Sequence, residues 1–134
     1  MRLENWDQRL VQAIAAHQAE PFSWRGSNCG TLFADCVEAV TGEDPLADVR
    51  GWRSERGALR CLAATGFDSV AACVAARFAP IPLAEARRGD AGYTAEAEVL
   101  GFPAIICGAF AMSRDANDWV IVPRARLVRC FRVG

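Results

Sequence analysis

PFSWRGSNCGTLFADCVEAVTG, residues 21–42, runs from a proline through a polar turn into an apolar helical pattern, and Cys29 stands at the junction. Pro21 closes the helix before it, Ser27 or Asn28 offers a side-chain oxygen to cap the next, and Thr41-Gly42 ends it. Along that helix Cys29, Phe33, Cys36 and Val40 recur at spacings of three and four and share one stripe. The reactive form of cysteine is the thiolate, which a helix N-terminus favours through its amide donors and macrodipole. Position alone leaves two readings of Cys29: a reactive or formerly reactive thiol, or a small core residue that begins a helix.

Upstream, Trp6, Leu10, Val11, Ile14 and Ala15 mark an amphipathic helix over residues 4–18. Downstream, the polar turn GEDPLADVRGW leads to Ser54, which caps a helix through Leu59, Leu62 and Ala63 that stops at Gly66. Asp68 or Ser69 caps a further helix to about Arg77. After Pro80 and Pro82 the chain turns to short apolar runs at residues 96–100, 104–110, 119–122 and 127–133. They are separated by Gly101, Gly108, the polar group SRDAND and Pro123, as hairpin-linked strands are. Helices followed by strands imply one α+β domain over residues 1–134, its helical N-terminal half packed on a small antiparallel sheet from the C-terminal half. Its parts are an N-terminal helix (1–20), a helical part with the cysteine helix (21–79) and the strands (80–134).

A length of 134 residues with 52% apolar content suits a single domain with a real core. The net charge of −1 provides no field for nucleic acid or anionic lipid, so neither is expected as a partner. No apolar run reaches the roughly 20 residues that span a bilayer, and MRLENWDQRL lacks a signal-peptide core, so the expectation is a chain made in the cytosol that crosses no membrane. Six cysteines (Cys29, Cys36, Cys61, Cys73, Cys107, Cys130) lie within apolar patterns and read as free thiols. With no CxxC pair and one histidine, no metal site and no cofactor is expected.

A cysteine hydrolase also needs a base to take the thiol proton and return it to the leaving group, normally a histidine. The only histidine, His17, lies near the end of the first helix, where it reads as a partly exposed helix-end residue. Asp35 is expected to project to a different side of the helix from Cys29, as a surface or packing residue. Asp90, after a glycine at the entry to the strands, reads as a turn or capping residue.

Several motifs together resemble the NlpC-type papain-like cysteine peptidases, and more closely the small NlpC-like proteins encoded in the tail-gene regions of bacteriophages and prophages. They are the W-x-G-x-x-C turn at Trp24, Gly26 and Cys29; TLFADCVEAVTG followed by Asp44-Pro45; RG-x-R-x-x-x-G-A from Arg50 to Ala58; and ARRGD ending at Asp90. The resemblance covers about residues 21–106. It implies that Cys29 occupies the catalytic cysteine position, with Asn28 replacing the usual aspartate before it. The family's histidine opens the second core strand, and laying that pattern on GFPAIICG, residues 101–108, puts Phe102 near its place. Leu100, Gly101, Pro103 and Ala104 offer no base either, so Cys29 is expected to be a vestigial nucleophile. General acid–base catalysis typically supplies about 10²–10⁴-fold, so sustained turnover without it is not expected.

The resemblance therefore implies a phage or prophage tail protein of the tail tip or baseplate with an inactive NlpC-like domain. It would be assembled in the bacterial host cytoplasm, carried in the virion tail, and partnered by other tail tip, hub or baseplate proteins. The rival expectation is an active cysteine peptidase or amidase that meets peptidoglycan during genome entry, with Cys29 as nucleophile and His17 or Asp90 as an unconventional base.

Overall fold

The computed structural model describes residues 1–95 and 101–134. Four helices come first: α1 (Trp6–Gln18), α2 (Cys29–Thr41), α3 (Glu55–Ala64) and α4 (Val70–Arg77). Six strands follow: β1 (Pro80–Ile81), β2 (Ala91–Tyr93), β3 (Ala104–Ile106), β4 (Phe110–Arg114), β5 (Trp119–Pro123) and β6 (Arg129–Phe131). They form one antiparallel sheet in the order β1-β6-β2-β3-β4-β5. The class is α+β, as the order of patterns implied.

The helix ends follow local chemistry. Asn28 caps α2 by accepting from the Gly30 and Thr31 amides, while Thr31 Oγ1 accepts from the Asn28 amide, a reciprocal capping box. Ser54 and Ser69 cap α3 and α4 by accepting from the Gly57 and Ala72 amides, without a returning bond. Gly42, at φ 85°, gives α2 the left-handed exit that a side chain would strain.

Nine of the thirteen residues of α2 are buried, so the expected single stripe is in fact an almost fully enclosed helix. It packs between α1 and the sheet. On α1 the inward residues are Trp6, Leu10, Ala13, Ile14 and His17; Val11 and Ala15, expected in the stripe, face outward. The sheet face toward the helices carries Ala91, Tyr93, Ile105 and Phe131, which join Leu32 and Phe33 in the main core. The opposite face carries Ile106, Ala111 and Cys130 in a smaller cluster with Ala86 and Leu127.

The strand pattern departs from the expectation at several places. The run 104–110 breaks at Gly108, φ 106°, so that its end opens β4 instead of extending β3. Ser113 and Arg114, read as the start of a polar separator, finish β4. Only Arg129–Phe131 of the run 127–133 pairs as β6; β1 was not expected, and β2 only through the resemblance, in which the Gly-Asp pair ending at Asp90 precedes the first core strand. The strand expected at 96–100 lies outside the described residues. Two-residue and three-residue strands containing proline or glycine carry no alternation of their own; only pairing with β6 and β3 makes them strands.

The two ends of the chain meet at Arg2. Its guanidinium, 5% exposed, donates to Asp90 Oδ1 at 2.8 Å, to the Arg88 carbonyl at 2.7 Å and to the Val133 carbonyl at 3.0 Å, and lies 4.3 Å from the Trp6 ring centre. Burial lowers the Arg2 pKa, and the neighbouring Asp90 opposes that shift.

Candidate functional site

Cys29 opens α2 at the foot of a cleft between the helices and the sheet. The turn before it is held by Asn28 Nδ2, which donates to the Ser23 and Trp24 carbonyls, and by the Thr31 hydroxyl on the Gly26 carbonyl. The segment entering β3 closes on it from the other side: a methyl group placed on Gly101 would stand 3.1 Å from the Cys29 sulfur, and the Phe102 backbone amide favours the thiolate there. Residue 101 is therefore glycine for reasons of approach. Phe102, which the resemblance lays near the histidine position, lines the same hollows as Cys29.

Phe102 stacks between Phe33, ring centres 5.6 Å apart, and Trp52, 6.4 Å apart. A methyl group on Gly30 would lie 2.8 Å from the Trp52 ring and 3.0 Å from Phe102, so Gly30 is what lets this aromatic row close over the start of α2. Two hollows meet at Cys29, Gly101 and Phe102. One of about 330 Å³ is bounded by Ala104, Val120 and Val122 with Arg114 and Asp115 at its polar side; one of about 90 Å³ lies under Trp24, Trp52 and Leu59.

Burial pushes the Cys29 thiol above its ordinary value, and the Phe102, Gly30 and Cys29 amides only partly offset it. The helix N-terminus was expected to favour the thiolate; desolvation is the larger effect here. The six cysteines are free, three of them buried and three, Cys29 included, partly exposed.

His17 is not the partly exposed helix-end residue expected from its position. It is 5% exposed, with Nδ1 2.7 Å from Ser27 Oγ and Nε2 2.6 Å from Asp35 Oδ2. A carboxylate only accepts, so Nε2 carries the proton, and in the neutral ring the Ser27 hydroxyl donates to Nδ1. Asp35, expected as a surface or packing residue, is partly exposed and ion-paired: Arg50 Nη2 binds its other oxygen at 2.5 Å, and Arg50 Nε lies 2.9 Å from Asp44. Arg114 completes the chain of contacts, donating to Ser27 Oγ at 2.6 Å and to the His17 carbonyl at 2.9 Å beneath the Trp119 ring.

Serine, histidine and aspartate in a row invite comparison with a nucleophilic triad. Ser27, however, is 0% exposed and its oxygen is occupied by Arg114, so no substrate reaches it. The row instead ties the end of α1 to the turn before α2 and to β4. Asp90, the other proposed base, is 2% exposed and fully engaged: Oδ1 accepts from Arg2 and the Val133 amide, Oδ2 from the Arg87 amide. Its expected capping role is the one it fills, across three segments instead of one turn.

Burial raises the Asp35 carboxyl, but hydrogen bonds from His17 and Arg50 outweigh it and hold the group below its ordinary value. A carboxyl depressed in the folded state stabilises fully above its unfolded pKa, and that stabilisation is lost as pH falls through the folded value. Thermal unfolding followed from pH 7 to pH 3 should therefore show Asp35→Asn melting below the wild type at neutral pH. The gap should begin to close as the pH falls below the ordinary carboxyl value of about 4 and should shrink further towards pH 3. A constant gap across that range would show that Asp35 ionisation contributes nothing.

Trp52 and Arg114 belong to this site and were not singled out in the sequence. A tryptophan within a polar turn was the one available signal for the first; Arg114 had none. Among the described residues no group of three His, Cys, Asp or Glu side chains is placed to hold a metal. No helix among them is long and apolar enough to cross a membrane.

A family model described as a domain of unknown function, DUF6950, matches residues 1–133. The chain belongs to that family. The match spans the N-terminal segment carrying Arg2, the helices and the whole sheet, so the family unit includes every residue of the site. No curated protein and no solved structure matches the chain.

Proposed function

We propose that this DUF6950 chain is a structural component of a bacteriophage or prophage tail, placed at the tail tip or baseplate, whose NlpC-like, papain-like domain no longer turns over substrate. The observation that carries the reading is the meeting of Cys29 with Phe102. Phe102 comes to the thiol through its backbone at the entry to β3, and its side chain is an aromatic ring stacked on Phe33 and Trp52, where a cysteine peptidase of this kind needs a proton acceptor. The two bases that could have substituted, His17 and Asp90, are each bound to other partners. The tail assignment itself rests on the motifs of residues 21–106.

On this reading the chain is assembled in the bacterial host cytoplasm, carried in the virion, and partnered by other tail tip, hub or baseplate proteins. Mass spectrometry of purified virions should find the chain, and co-expression with the products of neighbouring tail genes should yield a complex. Absence from both overturns the tail reading. Peptidoglycan fragments should remain intact with the wild-type chain; turnover that disappears in Cys29→Ala would establish the rival, an active peptidase or amidase.

A further inference from the structure

We propose that the free edge of β5 pairs antiparallel with β5 of a second copy of this chain, about a two-fold axis through Ile121. The starting observation is that β5, Trp119–Pro123, ends the sheet and carries five apolar residues without a charge. Ile121 is 59% and Val120 36% exposed. An uncharged strand of this kind at a sheet edge is a template for another strand.

The ladder to β4 decides which groups face outward. The Asp115 amide donates to the Asp118 carbonyl, and the Arg124 amide to the Ala109 carbonyl. With the pairs Ala111–Val122 and Ser113–Val120 between them, hydrogen-bonded pairs alternate so that Val120 and Val122 bond to β4. Trp119, Ile121 and Pro123 therefore turn their backbone groups away from the sheet. Pro123 has no amide hydrogen, and this outward position is where an edge strand tolerates proline.

A two-fold through Ile121 uses these groups well. Ile121 exchanges both backbone hydrogen bonds with its own copy, and each Trp119 amide, which within one chain donates to Asp118 Oδ1 at 2.7 Å, turns to the Pro123 carbonyl of the second copy and releases that carboxylate. The same register sets Val120 against Val122 and places Asp118 directly opposite Arg124 of the second copy, twice over. Asp118 is exposed, and Arg124 spends its Nη2 on the Leu83 and Ala86 carbonyls, with no carboxylate partner among the described residues. This charge complementarity selects both the register and the occupant. Shifting the axis to Val120 would set Asp118 against Val122 and Arg124 against Ala116, and an axis at Pro123 would leave its centre without donors.

The pairing also closes on itself. The opposite edge of the sheet, β1, is only two residues long, so it gives no second site for strand addition, and association stops at a dimer. A contact of one short strand buries little area, so the dimer forms at high protein concentration.

Sedimentation velocity from micromolar to near-millimolar protein should show a reversible monomer–dimer equilibrium. In an antiparallel hydrogen-bonded pair the opposed Cα atoms lie about 5.5 Å apart, within disulfide range. Ile121→Cys should therefore form a covalent dimer under mild oxidation. Phe110→Cys, 55% exposed on the neighbouring strand, and the wild type should not. Asp118→Arg and Arg124→Glu should each weaken self-association about tenfold, while an equimolar mixture restores it, because both cross-strand pairs become favourable again. A chain that stays monomeric throughout, or Ile121→Cys that cross-links no faster than Phe110→Cys, overturns the proposal and leaves the edge to a strand of another protein. Cross-linking without rescue in the mixture, from variants that melt like the wild type, overturns the register.

Discussion

Asp90→Ala should lower the unfolding free energy by about 3–5 kcal/mol, the range for removing one partner of a buried, hydrogen-bonded ion pair. Three donors lose their acceptor at once: the Arg2 guanidinium and the Arg87 and Val133 amides. The Arg2 side chain is 5% exposed, so its charge has little water to turn to. For a chain of this size such a loss corresponds to a fall of on the order of 10 °C in Tm, readable by calorimetry. Asp90→Asn should lose less, because the amide oxygen still accepts from one amide while the charge is gone. Equal effects of the two variants would show that packing and not ion pairing dominates at this position.

Phe102→His should change the chemistry of Cys29 more than any other single substitution. An imidazole beside the sulfur can take the thiol proton and stabilise the thiolate as an ion pair, which is how cysteine pKa values fall below neutrality in enzymes that use them. In the wild type, burial keeps the thiol protonated at pH 7, and alkylation by iodoacetamide should be slow and should accelerate only in strongly alkaline solution. In Phe102→His the alkylation rate at Cys29, read by peptide mass spectrometry, should rise about 10–100-fold at pH 7, following the thiolate fraction. The stacking on Phe33 and Trp52 is weakened in exchange, costing about 1–2 kcal/mol of stability. A rate unchanged from the wild type, in a variant that remains folded, would show that residue 102 does not address the sulfur and would remove the argument that Phe102 stands in a base position.

Much of the helical half was legible because its signals are local. The caps at Asn28, Ser54 and Ser69 and the exits at Gly42 and Gly66 involve residues within about one turn of each other, and that distance is visible in sequence. The sheet was legible only as a region. Ala91-Gly92-Tyr93 has no pattern of its own and becomes β2 by lying between β3 and β6, residues more than ten and more than thirty positions away. The outward placement of Val11 had a similar cause: its helical spacing fitted the stripe, but α2 contacts α1 along a face that includes His17 instead.

What the sequence determined by itself was the stock of chemical groups. One histidine, a cysteine at the start of an apolar helix, no base among residues 100–104 and an uncharged run before Pro123 are properties of the chain whatever its fold. The tertiary structure decided what surrounds each group. It enclosed His17 between Ser27 and Asp35, engaged Asp90 with Arg2, set Phe102 against the Cys29 sulfur and left β5 at the open edge. The physical reason is that propensity and capping act over a few bonds, whereas burial, desolvation and hydrogen-bond partnership depend on segments tens of residues apart. Cys29 illustrates the division: its place at a helix N-terminus favours the thiolate and is readable in sequence, while the burial that outweighs this exists only in the folded chain.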